Sequence, residues 1–143
     1  MPNEVILLIE IQKKLEYYCA YQERCHQEVS KKLNELGVFG TQMDTIISHL
    51  IEQNYLNETR FAEQFIHGKF NIKKWGKRRL IRELKQRNIS DWNIKNAMKE
   101  ISDKAYWECG QVLAEKVWNA MHYRGWETDL IMENILRLEH QKE

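Results

Sequence analysis

Proline occurs once, at position 2, and glycine only six times in 143 residues. Turn-rich β-sandwiches and disordered linkers draw heavily on both residues. Their scarcity, with 43% apolar and 30% charged residues, argues against either class and for helices. Cysteine is sparse as well: Cys19, Cys25 and Cys109 are an odd number without CxxC spacing. That pattern gives no disulfide framework and no zinc-ligand set, and it fits a reducing cytoplasm. Long apolar runs are missing. The stretch from Val5 to Ile11 is broken by Glu10 and followed by Gln12, Lys13 and Lys14, too short and too acidic for a signal peptide or a membrane span. The expectation is a single cytoplasmic domain, since a chain of this length supports about one core.

Charge is balanced overall, at +1, but not locally. Between Lys69 and Arg87 nine Lys and Arg stand against one acid, Glu83, while the flanking stretches are both acidic. A one-signed block in an otherwise acidic chain points to a polyanion or an acidic protein surface. The alternative is that the charges only solvate a helix face.

Helical periodicity recurs: Val29, Leu33 and Leu36; Ile46, Ile47, Leu50 and Ile51; Phe61, Ala62 and Phe65; Leu80, Ile81 and Leu84; Ile94, Ala97, Met98 and Ile101; Ile131, Ile135, Leu136 and Leu138. Hydrophobic-staple spacing brackets four helix starts, Leu56/Phe61 around Asn57, Trp75/Leu80 around Gly76, Ile89/Ile94 around Ser90 and Trp126/Ile131 around Glu127. Thr41 with Asp44 resembles a capping box for the helix carrying Ile46. Leu33-x3-Gly37, Leu84-x3-Asn88 and Met121-x3-Gly125 form a degenerate repeat whose Gly or Asn suits a left-handed helix end. These pieces predict an all-α chain of three three-helix units, at 8–54, 55–103 and 104–143, joined as an elongated helical array.

On a helix from Lys77 to Arg87, Arg78, Arg82 and Lys85 fall at i, i+4 and i+7, on a different side from Leu80, Ile81 and Leu84. Arg79 lies beside that stripe. Lys73, Lys74 and Lys77 crowd the helix start, where free backbone donors favour an anion, and Lys69 opens the block. Trp75 reads either as a base-stacking or interface residue or as the staple to Leu80. Tyr55, Phe61, Phe65 and Phe70 read as core. Tandem short helices with a basic second element are compatible with helix-turn-helix docking, and no RNA-binding fingerprint is present.

Catalysis finds little footing. Cys25 and His26 are adjacent and so point about 100° apart on a helix, which prevents a nucleophile–base pairing. His49, His67, His122 and His140 stand alone, and no phosphate loop, dinucleotide fingerprint or acidic constellation occurs. No catalytic residue, metal or cofactor is expected.

The run Leu56-Asn57-Glu58-Thr59-Arg60-Phe61-Ala62, with Gly68, Lys69, Trp75-Gly76, Leu80-Ile81 and Glu83-Leu84, resembles the central signature of the RecX regulators of the RecA recombinase. Arg24, Glu28, Lys32 and Leu33 are similar to the family's first-helix pattern, and Arg124-Gly125-Trp126 to its third-repeat element. Asn54 stands where the family commonly has Gly before a Tyr-Leu pair, and Asn tolerates the left-handed conformation. The resemblance implies three tandem three-helix repeats in a curved array that lies in the groove of a RecA filament and restrains its ATP hydrolysis, strand exchange and co-protease activity, within recombination, repair and the SOS response. It implies no chemistry of its own, and nothing demands more than a monomer. Arg60 and Arg24 join the basic block as candidate contacts, with Arg60 equally readable as the partner of an acid such as Glu63. An autonomous module that binds single- or double-stranded DNA through residues 69–87 is the alternative.

Overall fold

The computed structural model describes the backbone of residues 2–123, 125 and 128–141, and side chains within 5–122, 128–133 and 135–137. The fold is all-α. Its helices are α1 (Pro2–Tyr21), α2 (His26–Glu35), α3 (Gly40–Glu52), α4 (Glu58–Asn71), α5 (Lys77–Gln86), α6 (Asp91–Met98), α7 (Asp103–Tyr123) and α8 (Thr128–Gln141), with no strand among the described residues. Pro2 sits in the first turn of α1, where a missing N–H breaks no intrahelical bond.

Helices of 8–14 residues are marginal alone and must share their apolar faces. Two cores result. The first joins Ile11, Leu15 and Cys19 of α1, Val29 and Leu33 of α2, Ile46, Ile47 and Leu50 of α3, and Leu56. The second joins Phe61, Ala62, Ile66 and Phe70 of α4, Leu80 and Leu84 of α5, and Ile94 and Ala97 of α6, with Ala105, Tyr106 and Cys109 of α7 packed against it. Helices α7 and α8 pack on each other, and Ile131 and Ile135 are buried.

The repeat motif has a structural cause. Gly37, Asn54 and Asn88 take φ of 80°, 61° and 59°. The next residue's N–H then reaches back five positions: Val38 to Leu33 O at 2.9 Å, Tyr55 to Leu50 O at 2.8 Å and Ile89 to Leu84 O at 3.1 Å. Each helix thus ends in a Schellman motif, and Val38 and Ile89 turn directly into a core. Asn54 thus takes the left-handed conformation that its side chain tolerates. Gly125 has φ 82°, while Arg124, Trp126, Glu127, Leu138 and His140 lie outside the described residues or side chains.

Several expectations are corrected. Helix α3 begins at Gly40 behind an extended Phe39, so Thr41 lies inside the first turn, its carbonyl accepting from Thr45 Oγ1, and does not cap. Ile51 and Leu136 are half-exposed because each is rotated about 100° from its buried neighbour, Leu50 or Ile135. The Leu56/Phe61 staple is split, since Leu56 belongs to the first core and Phe61 to the second. His49 is not alone; its Nε2 lies 2.8 Å from Glu16 Oε1, tying α3 to α1. The caps Asn57 and Ser90 act as expected, accepting from the N–H of Arg60 and Asn93.

Burial pushes the Cys19 thiol up to about 11 from an ordinary 9.0, and burial likewise raises Cys25, whose thiol donates to Glu28 Oε1. A thiol held neutral in the folded state stabilises the fold fully below pH 9, and that stability drains as the pH rises toward 11. The denaturation midpoint should fall over that window, and the fall should shrink in Cys19→Ala. Alkylation at pH 8 should reach half-buried Cys109 first and the other two only on unfolding; equal native rates for all three would contradict the burial account.

Candidate functional site: the basic face of α5

Helix α5 is fixed by the side opposite its charges. Leu80 and Leu84 are fully buried, Ile81 is half-buried, and the Asn88–Ile89 cap ends the helix against the same core. With register set, Arg78, Arg82 and Lys85 face solvent and flank Ile81 around a shallow depression of about 490 Å³.

The cations divide into two kinds. Four are engaged by neighbours. The Lys69 ammonium lies 5.0 Å from the Trp75 ring centroid, and the Arg79 guanidinium lies 3.9 Å from the same ring. Arg87 lies 4.9 Å from the Phe65 ring and pairs with Glu83 at 3.1 Å. Phe65 and Trp75 meet edge to face at 6.1 Å, so the pair forms an aromatic ledge bordered by three cations. Lys77 is drawn toward α7, 4.5 Å from the Tyr106 ring and 4.0 Å from Asp103. The other kind, Lys73, Lys74, Arg78, Arg82 and Lys85, is exposed and forms no ion pair among the described residues.

The sequence reading of free donors at the α5 start needs amendment, because the Lys77 N–H is already donated to the Tyr106 hydroxyl at 3.1 Å. Trp75 belongs to the second core's edge, with its ring already attended by Lys69 and Arg79, which disfavours the base-stacking alternative. Lys74 takes φ 61°, a strained backbone for a side chain with Cβ.

Arg60 and Arg24 lie apart from this face. Arg60 Nε donates to Glu23, not Glu63, and its Nη2 donates to the carbonyls of Asn54 at 3.0 Å and Tyr55 at 3.3 Å. Glu63 instead accepts from Asn96 at 3.2 Å. Arg24 lies 3.7 Å from the Tyr18 ring centroid, donates to Tyr18 O and pairs with Glu28 at 3.5 Å. Neighbouring Gln27 bridges to Gln86 O at 3.3 Å, and between these segments runs a cleft of about 870 Å³ lined by Glu23, Gln64, Phe65 and Arg87 among others. Sequence reasoning missed Glu23, Tyr106 and this cleft, because partners 29–59 residues apart leave no local pattern.

Residues 57–98 match the family described as RecX, second three-helix domain. The chain is 32% identical over 100 residues to a regulatory protein RecX of Lactobacillus johnsonii, spanning 70% of this chain and 37% of that one. It is 27% identical over 142 residues to a regulatory protein RecX of Lactobacillus gasseri, spanning 88% and 52%. It thus covers about half or less of the length of these relatives. The crystal structure of RecX from Lactobacillus salivarius superposes with a TM-score of 0.83 at 25% identity, over 96% of this chain and 88% of that chain. A crystal structure of a regulatory protein RecX at 19% identity, TM-score 0.82, shares the fold.

Two stability measurements test this geometry. Arg60→Ala should cost about 2 kcal/mol in urea denaturation, because a half-buried carboxylate and two carbonyls lose their donor, and a double-mutant cycle with Glu23→Gln should show coupling; additive effects would break the assigned link. Lys74→Gly should gain about 0.5–1 kcal/mol by relieving the left-handed strain, despite the greater freedom of glycine in the unfolded chain. A loss of stability would contradict that reading of Lys74.

Proposed function

This chain belongs to the RecX family, and on that premise we propose that it is a non-enzymatic modulator of the RecA recombinase filament that mainly inhibits its ATP hydrolysis, strand exchange and co-protease activity. The observation that carries the reading is the set of five exposed cations left without an ion-pair partner among the described residues: Arg78, Arg82 and Lys85, oriented by the buried face of α5, and Lys73 and Lys74 in the turn that precedes it. A filament on DNA offers both phosphates and protein carboxylates to such a face, and electrostatic complementarity favours fast, oriented docking. Arranging residues 8–54, 55–103 and 104–143 as three tandem repeats would set this face in the middle of an extended contact surface. Lys69, Lys77 and Arg79 then shape the edge of the face, while Arg60 ties the second repeat to Glu23 of the first and Arg24 braces the first repeat internally through Tyr18 and Glu28.

Among the described residues no cluster of three His, Cys, Asp or Glu is placed to hold a metal ion, and Cys25 is buried with its thiol held neutral. No helix of the described residues is long and apolar enough to cross a membrane.

Substoichiometric protein added to RecA on single-stranded DNA with ATP should suppress hydrolysis or shorten filaments, and the Arg78→Ala/Arg82→Ala/Lys85→Ala variant should require several-fold more protein for the same effect. No suppression up to molar excess would end this reading. The rival, an autonomous DNA-binding module, predicts instead equal affinity for bare and RecA-coated DNA, with the triple variant flattening the salt dependence by up to about 0.9 logarithmic units per lost phosphate contact.

A further inference from the structure

We infer that the α5 face is built to receive an acidic amphipathic protein segment, a helix that seats an apolar side chain on Ile81 and presents carboxylates to Arg78, Arg82 and Lys85. The inference deepens the proposed contact role of α5 by choosing protein carboxylates over nucleic-acid phosphates.

The argument begins with the floor of the depression. Ile81 lies within the ring of cations at offsets of three, one and four residues from Arg78, Arg82 and Lys85, and all four line the same depression with Gln86. Arginine and lysine stems are themselves apolar, so the centre of the charged patch is hydrocarbon with cationic tips around it. A phosphodiester strand gains nothing from that centre. A protein segment with a Leu-like side chain removes both its own apolar surface and that of Ile81 from water.

Nucleic acid would also ask for something this face lacks. Single strands are held by aromatic rings on which bases stack. Trp75, within the block, is edge-on to Phe65 and attended by Lys69 and Arg79, while exposed Trp92 and Trp107 lie on α6 and α7 rather than on this depression. The cation spacing matches a helical partner. Positions i, i+4 and i+7 lie about 6 and 4.5 Å apart along the axis, the same intervals at which Glu residues recur on one face of a facing helix. Interface anchors of this kind, one apolar contact ringed by charge pairs, gain specificity from the ring and affinity from the centre.

The test uses the full chain with a fluorescent synthetic helical peptide whose central Leu has Glu three and four residues to either side, its Leu→Ser counterpart, and an oligo(dT) of the same charge. Anisotropy should show the Leu peptide bound about tenfold tighter than the Ser peptide and tighter than oligo(dT). The Arg78→Glu/Arg82→Glu/Lys85→Glu variant should abolish binding of the Glu peptide, and a peptide with Lys at every Glu position should bind that variant instead. Changing the peptide leaves the protein intact, so the result does not depend on how Ile81→Ala folds; that variant should nevertheless erase the Leu/Ser difference. Equal binding of the two peptides, or oligo(dT) binding that exceeds both and vanishes in the Arg78→Ala/Arg82→Ala/Lys85→Ala variant, would overturn the inference. If RecA hydrolysis is suppressed while neither peptide binds, the inference falls and the filament reading stands.

Discussion

The burial of Leu80 and Leu84 is the contact on which the exposed charge of α5 depends. Like charges at i, i+4 cost a helix a few tenths of a kcal/mol per pair, and an isolated ten-residue helix is marginal in water. Fully burying a leucine offsets that cost several times over, at roughly 1.5–3 kcal/mol per side chain. The core therefore does more than stabilise. It holds α5 against self-repulsion and fixes its rotation, so that Arg78, Arg82 and Lys85 emerge together around Ile81.

Rotation alone would leave the second core free to swing against the first. The link between them is an exchange of side chains. Cys25, just before α2, joins the second core, and Leu56, just before α4, joins the first. Arg60 fastens the same junction by holding Glu23 and the carbonyls of Asn54 and Tyr55. A guanidinium suits this place because its planar fork reaches several acceptors at once, which an ammonium on a flexible stem does not. The polar seam between α4 and α6 follows the same logic, with Asn93 accepting from Thr59 and donating to Glu58 so that its buried amide is satisfied.

Much of this was legible in the sequence where the signal is local. The all-α class, the left-handed ends at Gly37 and Asn88, the caps at Asn57 and Ser90, and the split of α5 into a buried and a charged side all follow from residues within one or two turns of each other. Long-range pairs were not legible. Glu63 stands three residues after Arg60, in reach along one helix, yet the chain reversal after α1 brings Glu23 to it from 37 residues away. Tyr106 reached the α5 start for the same reason, from 29 residues away. Charge counting was also too coarse, because it treats Lys69, Arg79 and Arg87 as equal to Arg82 although each is committed to an aromatic ring.

That commitment changes what the basic block is. A cation over an indole keeps its charge but gives up part of its hydration and orientational freedom, so a further partner must compete with a contact of about 0.5–1 kcal/mol at an exposed site. Lys69, Arg79 and Arg87 therefore pin the edge formed by Phe65 and Trp75, next to the cleft that separates the two cores. Among the described residues Arg78, Arg82 and Lys85 carry neither a ring contact nor an ion pair, and they keep their attraction for an incoming carboxylate. A block of nine cations in sequence thus becomes, in the fold, a fixed aromatic–cationic ledge beside a smaller free patch. The centre of that patch is the apolar side chain of Ile81, so the surface it offers is hydrocarbon rimmed by charge rather than charge alone.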